Sequence, residues 1–296
     1  MKDSFSSCHP FINMIYFIAV IIFSMFFLHP VLLAISLIAA ILYSTYLNGI
    51  KAVRFNLFMM LPTMIVAASI NPMFSHSGVT ILFYLDNGNP ITLESILYGV
   101  AVGCMFISVI IWFSCYNAVM TSDKFIYIFG RIMPSLSLIF SMVLRFVPKF
   151  KNQIREISYA QKCIGKVPTN GNIFNRIKYG VNIISILITW ALENGIETAD
   201  SMKSRGYGLK GRTSFSIFRF DSRDKILLLV FILCIVIITI GTFQGITSIK
   251  FFPGILIKPI SVLNIVVYIA YGILLFTPLI LNKLEDMKWK SIKSNI

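Results

Sequence analysis

The run TADSMKSRGYGLKGRTSF, residues 198–215, sets Arg205 between Ser204 and Gly206 and continues with Lys210 and Arg212. A guanidinium at an exposed helix end can form forked, charge-assisted hydrogen bonds to carboxylates or carbonyls of a partner. The same residues also allow a purely local reading. Gly206 suits the left-handed turn that ends a helix, and a cation in the last turn complements the helix dipole by about 0.3–1 kcal/mol. A second run, ISYAQKCIGK at 157–166, ends alike in Cys163-Ile164-Gly165, with Lys162 and Lys166 at either side and its glycine 41 positions before Gly206. Upstream of the two ends, Arg145, Lys149, Gln153 and Glu156 recur at helical spacing, as do Glu193, Glu197, Asp200 and Ser204. Stripes of opposite predominant sign on adjacent helices can pair or form a solvated, salt-bridged face. Proton relay or ion coordination by the carboxylates is the other chemistry they allow.

Reactive constellations are otherwise missing. Cys8, Cys104, Cys115, Cys163 and Cys234 show no CxxC spacing, and three lie in or beside apolar runs, where a thiol acts as an inert packing group. His9, His29 and His76 have no metal-ligand spacing. The chain contains no P-loop, no GxSxG and no paired intramembrane carboxylates, so neither ATP binding by such a loop nor membrane hydrolysis is expected. The sequence therefore points to a protein that is not an enzyme and holds no cofactor or metal.

The elements that position these residues belong to a membrane. The 296 residues are 57% hydrophobic and only 13% charged, against about 25% charged in soluble domains. Apolar runs near the ~20 residues that cross a bilayer occur at about 11–27, 31–47, 56–73, 95–118, 226–244 and 262–281. The first is followed at once by another and by no small-residue cleavage pattern, so it reads as a retained span. With the N-terminus in the cytoplasm, 24 of the 26 Lys and Arg residues fall inside, leaving Lys250 and Lys258 outside, as the positive-inside rule requires. The loop SHSGVTILFYLDNGNPIT has no Lys or Arg, as an external loop should. The reading is an all-α, polytopic protein of the cell membrane with about six transmembrane helices and both termini cytoplasmic. Its N-terminal helices occupy 1–121, a cytoplasmic section 122–225, and C-terminal helices with a basic tail 226–296.

The cytoplasmic section holds 17 of the 26 basic residues. One long helix is predicted from Pro134 to Cys163 or Ile164, with Pro148 expected to bend it. After the turn residues of KVPTNGN, a second runs from about Ile173 to Ser204 and stops at Gly206 and Gly208. The apolar stretch VNIISILITWAL within it suits an amphipathic helix against the membrane face.

Taken in order, RFVPKF (145–150), AQKCIGK (160–166), ADSMKSRGYG (199–208), KGRTSF (210–215) and Asp224 resemble the transmembrane T component of energy-coupling factor (ECF) transporters, the family that includes the cobalt transport Q-type proteins. That family has an Arg-Phe-aliphatic-Pro segment and two Ala-Arg-Gly tips on long cytoplasmic coupling helices. The motifs cover about residues 130–225, and topology alone covers the rest.

The resemblance implies a coupling subunit. Two cytoplasmic ABC ATPases are held through the helix tips, and a small membrane-embedded S component captures a vitamin or transition-metal ion. ATP hydrolysis in the ATPases drives reorientation of the S component, within the bilayer and without nucleic acid. Ser204, Arg205 and Gly206 match the second tip, with Ser in place of Ala. Cys163, Ile164 and Gly165 match the first, with Ile164 where Arg is usual. Either Lys162 or Lys166 supplies the missing charge, or that tip docks by apolar contact. Arg145, Pro148, Glu193, Glu197, Asp200 and Arg212 are expected to support the coupling helices. The alternative class, a stand-alone secondary transporter or channel, usually needs a charged or broken-helix site at mid-membrane, whereas these spans carry few ionisable residues beyond Glu94 at a span entrance.

Overall fold

The computed structural model describes residues 3–75, 77–84, 90–165, 173–207, 209, 218–255, 259 and 261–294. Along the chain run α1 (Pro10–Phe26), α2 (Pro30–Asn48), α3 (Ile50–Phe74), strands β1 (Ile81–Tyr84) and β2 (Pro90–Thr92), α4 (Leu93–Val119), α5 (Ser122–Ile132), α6 (Pro134–Cys163), α7 (Ile173–Ser204), α8 (Ser222–Phe243) and α9 (Val262–Ser294). Each of the six apolar runs forms a helix. α2, α4, α8 and α9 are long and apolar enough to cross a membrane, while α1 and the Met60–Phe74 part of α3 are shorter apolar segments. The protein is thus an all-α polytopic membrane protein. A small antiparallel hairpin, with Ile81 opposite Thr92 and Tyr84 opposite Pro90, interrupts the helices between α3 and α4.

Local sequence explains the boundaries. Pro10, Pro30 and Pro134 occupy first turns, where a missing N–H costs nothing. Thr92 caps α4 by accepting from the Ser95 N–H at 3.4 Å, and Glu94 lies in the first turn, where the helix dipole favours a carboxylate. Gly49, at φ 63°, makes the tight turn between α2 and α3. At α8 the Asp224 carboxylate reaches back to the Asp221 N–H at 3.2 Å.

The chain divides into two compact units, Met1–Phe125 with Phe218–Ile296, and Ile126–Ile217. In the first, α4 packs on α1, α2 and α3, α9 packs on α2 and α8, and α1 meets α8. The core is aromatic: Trp112, Tyr16, Tyr43, Tyr271, Phe5, Phe17 and Phe231 are fully buried. A hydroxyl cluster joins four helices, with Ser36 Oγ 2.6 Å from Ser108 Oγ and 2.9 Å from Ser24 Oγ, Ser24 3.4 Å from the Tyr271 hydroxyl, and Trp112 Nε1 donating to Ser36 at 3.3 Å. Small hydroxyl residues let backbones approach and satisfy one another where hydrocarbon offers no partner. The outer faces expose Ile, Leu and Phe freely, as at Ile226, Leu229, Leu233, Ile265 and Ile269. So large an apolar surface is a liability in water and the natural surface toward lipid. In the second unit α6 and α7 pack against each other.

Candidate functional site

Both helix ends predicted to carry function share one backbone turn. Gly165 and Gly206 each have φ 79°, in the left-handed region that a Cβ disfavours. The Gly165 N–H donates to Lys162 O at 3.0 Å, and the Gly206 N–H donates to Lys203 O at 3.0 Å. At the second end the Tyr207 N–H adds a bond to Met202 O at 3.0 Å, completing the paired carbonyl capping of a glycine-terminated helix. Ser204 Oγ turns back to Ser201 O at 2.9 Å.

The side chains on this common turn differ. Arg205 is exposed, as are Ser204 and Cys163. Ile164 leaves 68% of its surface in solvent, and Ile173 at 70%, Phe174 at 83% and Ile196 at 67% are as bare in the same helix pair. Lys162, one of the candidates to replace the missing arginine, lies with its ammonium 5.6 Å from the Tyr159 ring centroid, on its own helix. At an exposed site such a cation–π contact contributes only about 0.5–1 kcal/mol. Lys166, the other candidate, lies outside the described residues, as do Lys210 and Arg212.

The two tips face opposite ends of the helix pair. Lys149 Nζ donates to Asn194 Oδ1 at 2.6 Å, Phe150 meets Trp190 edge-on at 5.9 Å, and the Asn182 amide donates to Gln161 at 3.5 Å. Rising numbers on α6 meet falling numbers on α7, so the helices are antiparallel over their contact. That register sets Cys163 level with about residue 180, and at 1.5 Å per residue Ser204 stands about 36 Å further along α7. Tips that look like neighbours in the sequence are therefore two separate points.

The supporting residues are distributed accordingly. Arg145 and Pro148 are exposed on α6, which runs unbroken through the proline; Glu193, Glu197 and Asp200 are exposed on α7. The opposed stripes do not pair, since among the described residues the only ion pair joins Arg223 to Glu285. Lys149 instead binds Asn194 and lies 5.1 Å from the Trp190 ring. A neutral amide and an aromatic face do the holding, and the acidic stripe of α7 is left to solvent.

Residues 4–215 match the family described as cobalt transport protein, CbiQ. This chain belongs to that family. Among curated relatives, the energy-coupling factor transporter transmembrane protein EcfT 1 of Listeria monocytogenes is 33% identical over 170 residues, 53% of this chain and 63% of that protein. EcfT of Bacillus selenitireducens is 32% identical over 111 residues, 37% and 41% of the two chains. EcfT of Staphylococcus aureus is 33% identical over 112 residues, 38% and 42%. In these matches the chain spans less than two thirds of each relative's length.

One cluster lies outside every motif read above, a strap of residues 3–9 that gathers one end of the membrane unit. Asn282 Oδ1 accepts from the Ser4 and Phe5 N–H groups at 2.8 and 3.3 Å, and its amide donates to Asp3 at 2.6 Å. The Tyr43 hydroxyl donates to Asp3 at 3.0 Å. Lys124, buried, donates to Ser6 O at 2.5 Å, Ser6 Oγ at 3.0 Å and Val119 O at 2.9 Å. Asn13, with its amide toward Phe5 O, offers its oxygen to the same ammonium at 3.1 Å. Burial lowers the Lys124 pKa from its ordinary value and pushes the Cys8 thiol up to about 11. The strap thus ties the ends of α2 and α4, the starts of α5 and α8, and the latter part of α9 to one another. The starts of α2 and α9 meet at the other end, where the Tyr268 hydroxyl lies 3.3 Å from His29 Nε2. No spacing rule reports such a cluster; the one available signal was Lys124 beside an otherwise apolar span end.

Proposed function

We propose that this protein is the transmembrane coupling subunit of an ECF-type ABC transporter. It links ATP hydrolysis by two cytoplasmic ATPases to the movement of a membrane-embedded S component that brings in a vitamin or transition-metal ion. The observation that carries this reading is the pair of glycine-terminated tips at opposite ends of the antiparallel α6–α7 pair. Each presents an exposed side chain on the same backbone turn, in a chain of the CbiQ family. Two sites about 36 Å apart along a helix suit two docking subunits better than one. A rigid helix pair held at both ends can pass a change in the spacing of those subunits to the membrane. The strap supports the matching topology: it brings residues 3–9 and the latter part of α9 to one end of the bundle, and the distribution of Lys and Arg favours the cytoplasmic side for that end.

On this reading Arg205 forms forked hydrogen bonds to carboxylates or carbonyls of an ATPase. Affinity purification of the membrane subunit co-expressed with its ATPases tests it. Arg205→Ala is expected to weaken docking by about 1–3 kcal/mol and to lower ATPase recovery sharply, while Ile164→Ala loses little. Undiminished recovery with Arg205→Ala, or equal losses from both, refutes the assignment.

A further inference from the structure

Between Arg54 and Lys124 the chain carries no Lys or Arg, and within that stretch lies the hairpin that joins α3 to α4. Its first strand is bare. Ile81, Leu82, Phe83 and Tyr84 leave 46–64% of their surface uncovered, and Val79 just before them leaves 71%. A strand at the surface of a soluble fold alternates covered apolar residues with wet polar ones. Here a register shift between Ile81 and Phe83 breaks the alternation, and no residue of β1 is covered or charged.

Connectivity fixes the height of this strand. Residues 75–80 separate the end of α3 from β1, and β2 runs straight from Thr92 into Leu93 of α4. The connection is clamped to the first turn of α4. Ser95 Oγ donates to Ser75 O at 2.8 Å, Thr92 Oγ1 to Ser77 O at 3.0 Å, the Leu93 N–H to Thr80 O at 3.0 Å, and the Thr80 N–H to Glu94 Oε1 at 3.2 Å. The base of the hairpin therefore stays level with the end of a span. In the adjoining turns of α3, Val66, Ile70, Met73 and Phe74 are exposed as well, so β1 continues the apolar surface that α3 turns toward lipid. The hydrocarbon core is closed to it, because among the described residues the sheet has two strands and the outer edge of β1 is unpaired. The headgroup layer, about 5–7 Å deep on each side of the core, offers both apolar contact and hydrogen-bonding groups.

We infer that residues 79–84 are an interfacial lipid anchor. β1 lies in the headgroup layer of the leaflet opposite the strap, its apolar side chains against the upper acyl chains, and holds the α3–α4 end of the membrane unit at that depth. Tyr84 suits the place, since tyrosine collects at the boundary between membrane and water. The strap holds the far end of α4 through Val119 O, and the want of Lys and Arg around the hairpin favours the external side for its leaflet. The inference needs only a membrane-spanning chain and is independent of ATPase docking.

Phe83→Trp in the full-length chain, reconstituted in phosphatidylcholine and phosphatidylglycerol nanodiscs, sets a fluorophore on β1, and Tyr84→Trp sets a second. Both side chains are exposed, so both variants should keep the wild-type melting temperature. The emission added over that of Trp112, Trp190 and Trp289 is read against three quenchers: lipids brominated near the carbonyl end of their chains, lipids brominated near the chain ends, and aqueous iodide. The shallow bromines are expected to remove most of the added emission, the deep bromines and iodide several-fold less. Quenching mainly by iodide overturns the anchor, because the strand then stands in water. Quenching mainly by the deep bromines overturns it too, because the strand then lies in the core. Protection from all three, in the chain alone or in the purified transporter complex, overturns it in favour of a covering protein.

Discussion

Truncating Phe5 should release the strap before it melts the bundle. Phe5 is fully buried, with ring centroids 5.0 Å from Tyr16, 6.3 Å from Phe17 and 6.5 Å from Tyr43, all near edge-to-face. Phe→Ala at such a site costs about 3–5 kcal/mol through lost transfer energy and the cavity left behind. The remaining strap bonds are a few hydrogen bonds near the end of the bundle, each contributing about 0.5–1.5 kcal/mol net, so the loss falls mainly on the closing of residues 3–9. Cys8 reports that closing directly. It is 1% exposed, and its thiol is pushed up to about 11, so it reacts only when the strap opens. At 1.36 kcal/mol per decade, Phe5→Ala should raise the Cys8 alkylation rate by about 150-fold to 5000-fold. The exposed Cys163 sets the ceiling. Pulse alkylation in detergent near neutral pH, with peptide mass spectrometry, reads both thiols in one sample. A change at Cys8 below about tenfold, with an unaltered melting temperature, would refute the strap as a unit held by Phe5.

Gly206→Ala forces a Cβ into the left-handed region and within 3.1 Å of Leu209 Cδ1. It should fray the last turn of α7 at a cost of about 1–2 kcal/mol, read as faster amide exchange at Arg205, Gly206 and Tyr207 with residues before Asn194 unaffected. Lys124→Met strands the Ser6 and Val119 carbonyls and should destabilise the protein by about 1–3 kcal/mol. It should also alter the alkaline limb of stability. Burial depresses the Lys124 pKa, so in the window between that lowered value and the ordinary lysine value the unfolded chain binds more protons, and stability rises with pH. Thermal melts across that window should show this rise in wild type and its loss in the variant.

Periodicity and punctuation made the helices legible. Pro134, Gly165, Ser204 and Gly206 marked α6 and α7 to within a residue, because capping is a local matter of φ and of unsatisfied carbonyls. The six apolar runs became helices for the same kind of reason: a hydrocarbon solvent leaves the backbone no other way to satisfy itself. What stayed hidden was non-local. Asn282 and Asp3 stand almost the whole chain apart, and Lys124 with Ser6 more than a third of it, so no window contains either pair. Of the two readings of the charged stripes, pairing or a solvated face, the exposed Glu193, Glu197 and Asp200 fit the solvated one, and the sequence left the choice open for a related reason. Helical spacing shows which residues share a face but not the register of one helix on another, and here that register gives Lys149 an amide and an indole.

Register also changes what the tips mean. Read along the sequence, two similar helix ends suggest a repeated motif, and repetition suggests equivalence. Antiparallel packing removes that inference, because it sends the ends about 36 Å apart along the helix axis and lets each meet its own surroundings. Once the ends are separated, nothing in the helix pair requires their chemistry to match; only the shared turn, which sets how a side chain is presented, must be kept. Gly165 and Gly206 keep it, and Ile164 and Arg205 diverge on it. The glycines therefore carry the geometry of the turn, and the residues before them differ in chemistry on it. Exchanging Ile164 and Arg205 should leave the helix pair intact and, on the proposed docking reading, move the guanidinium contact to the other end of the pair.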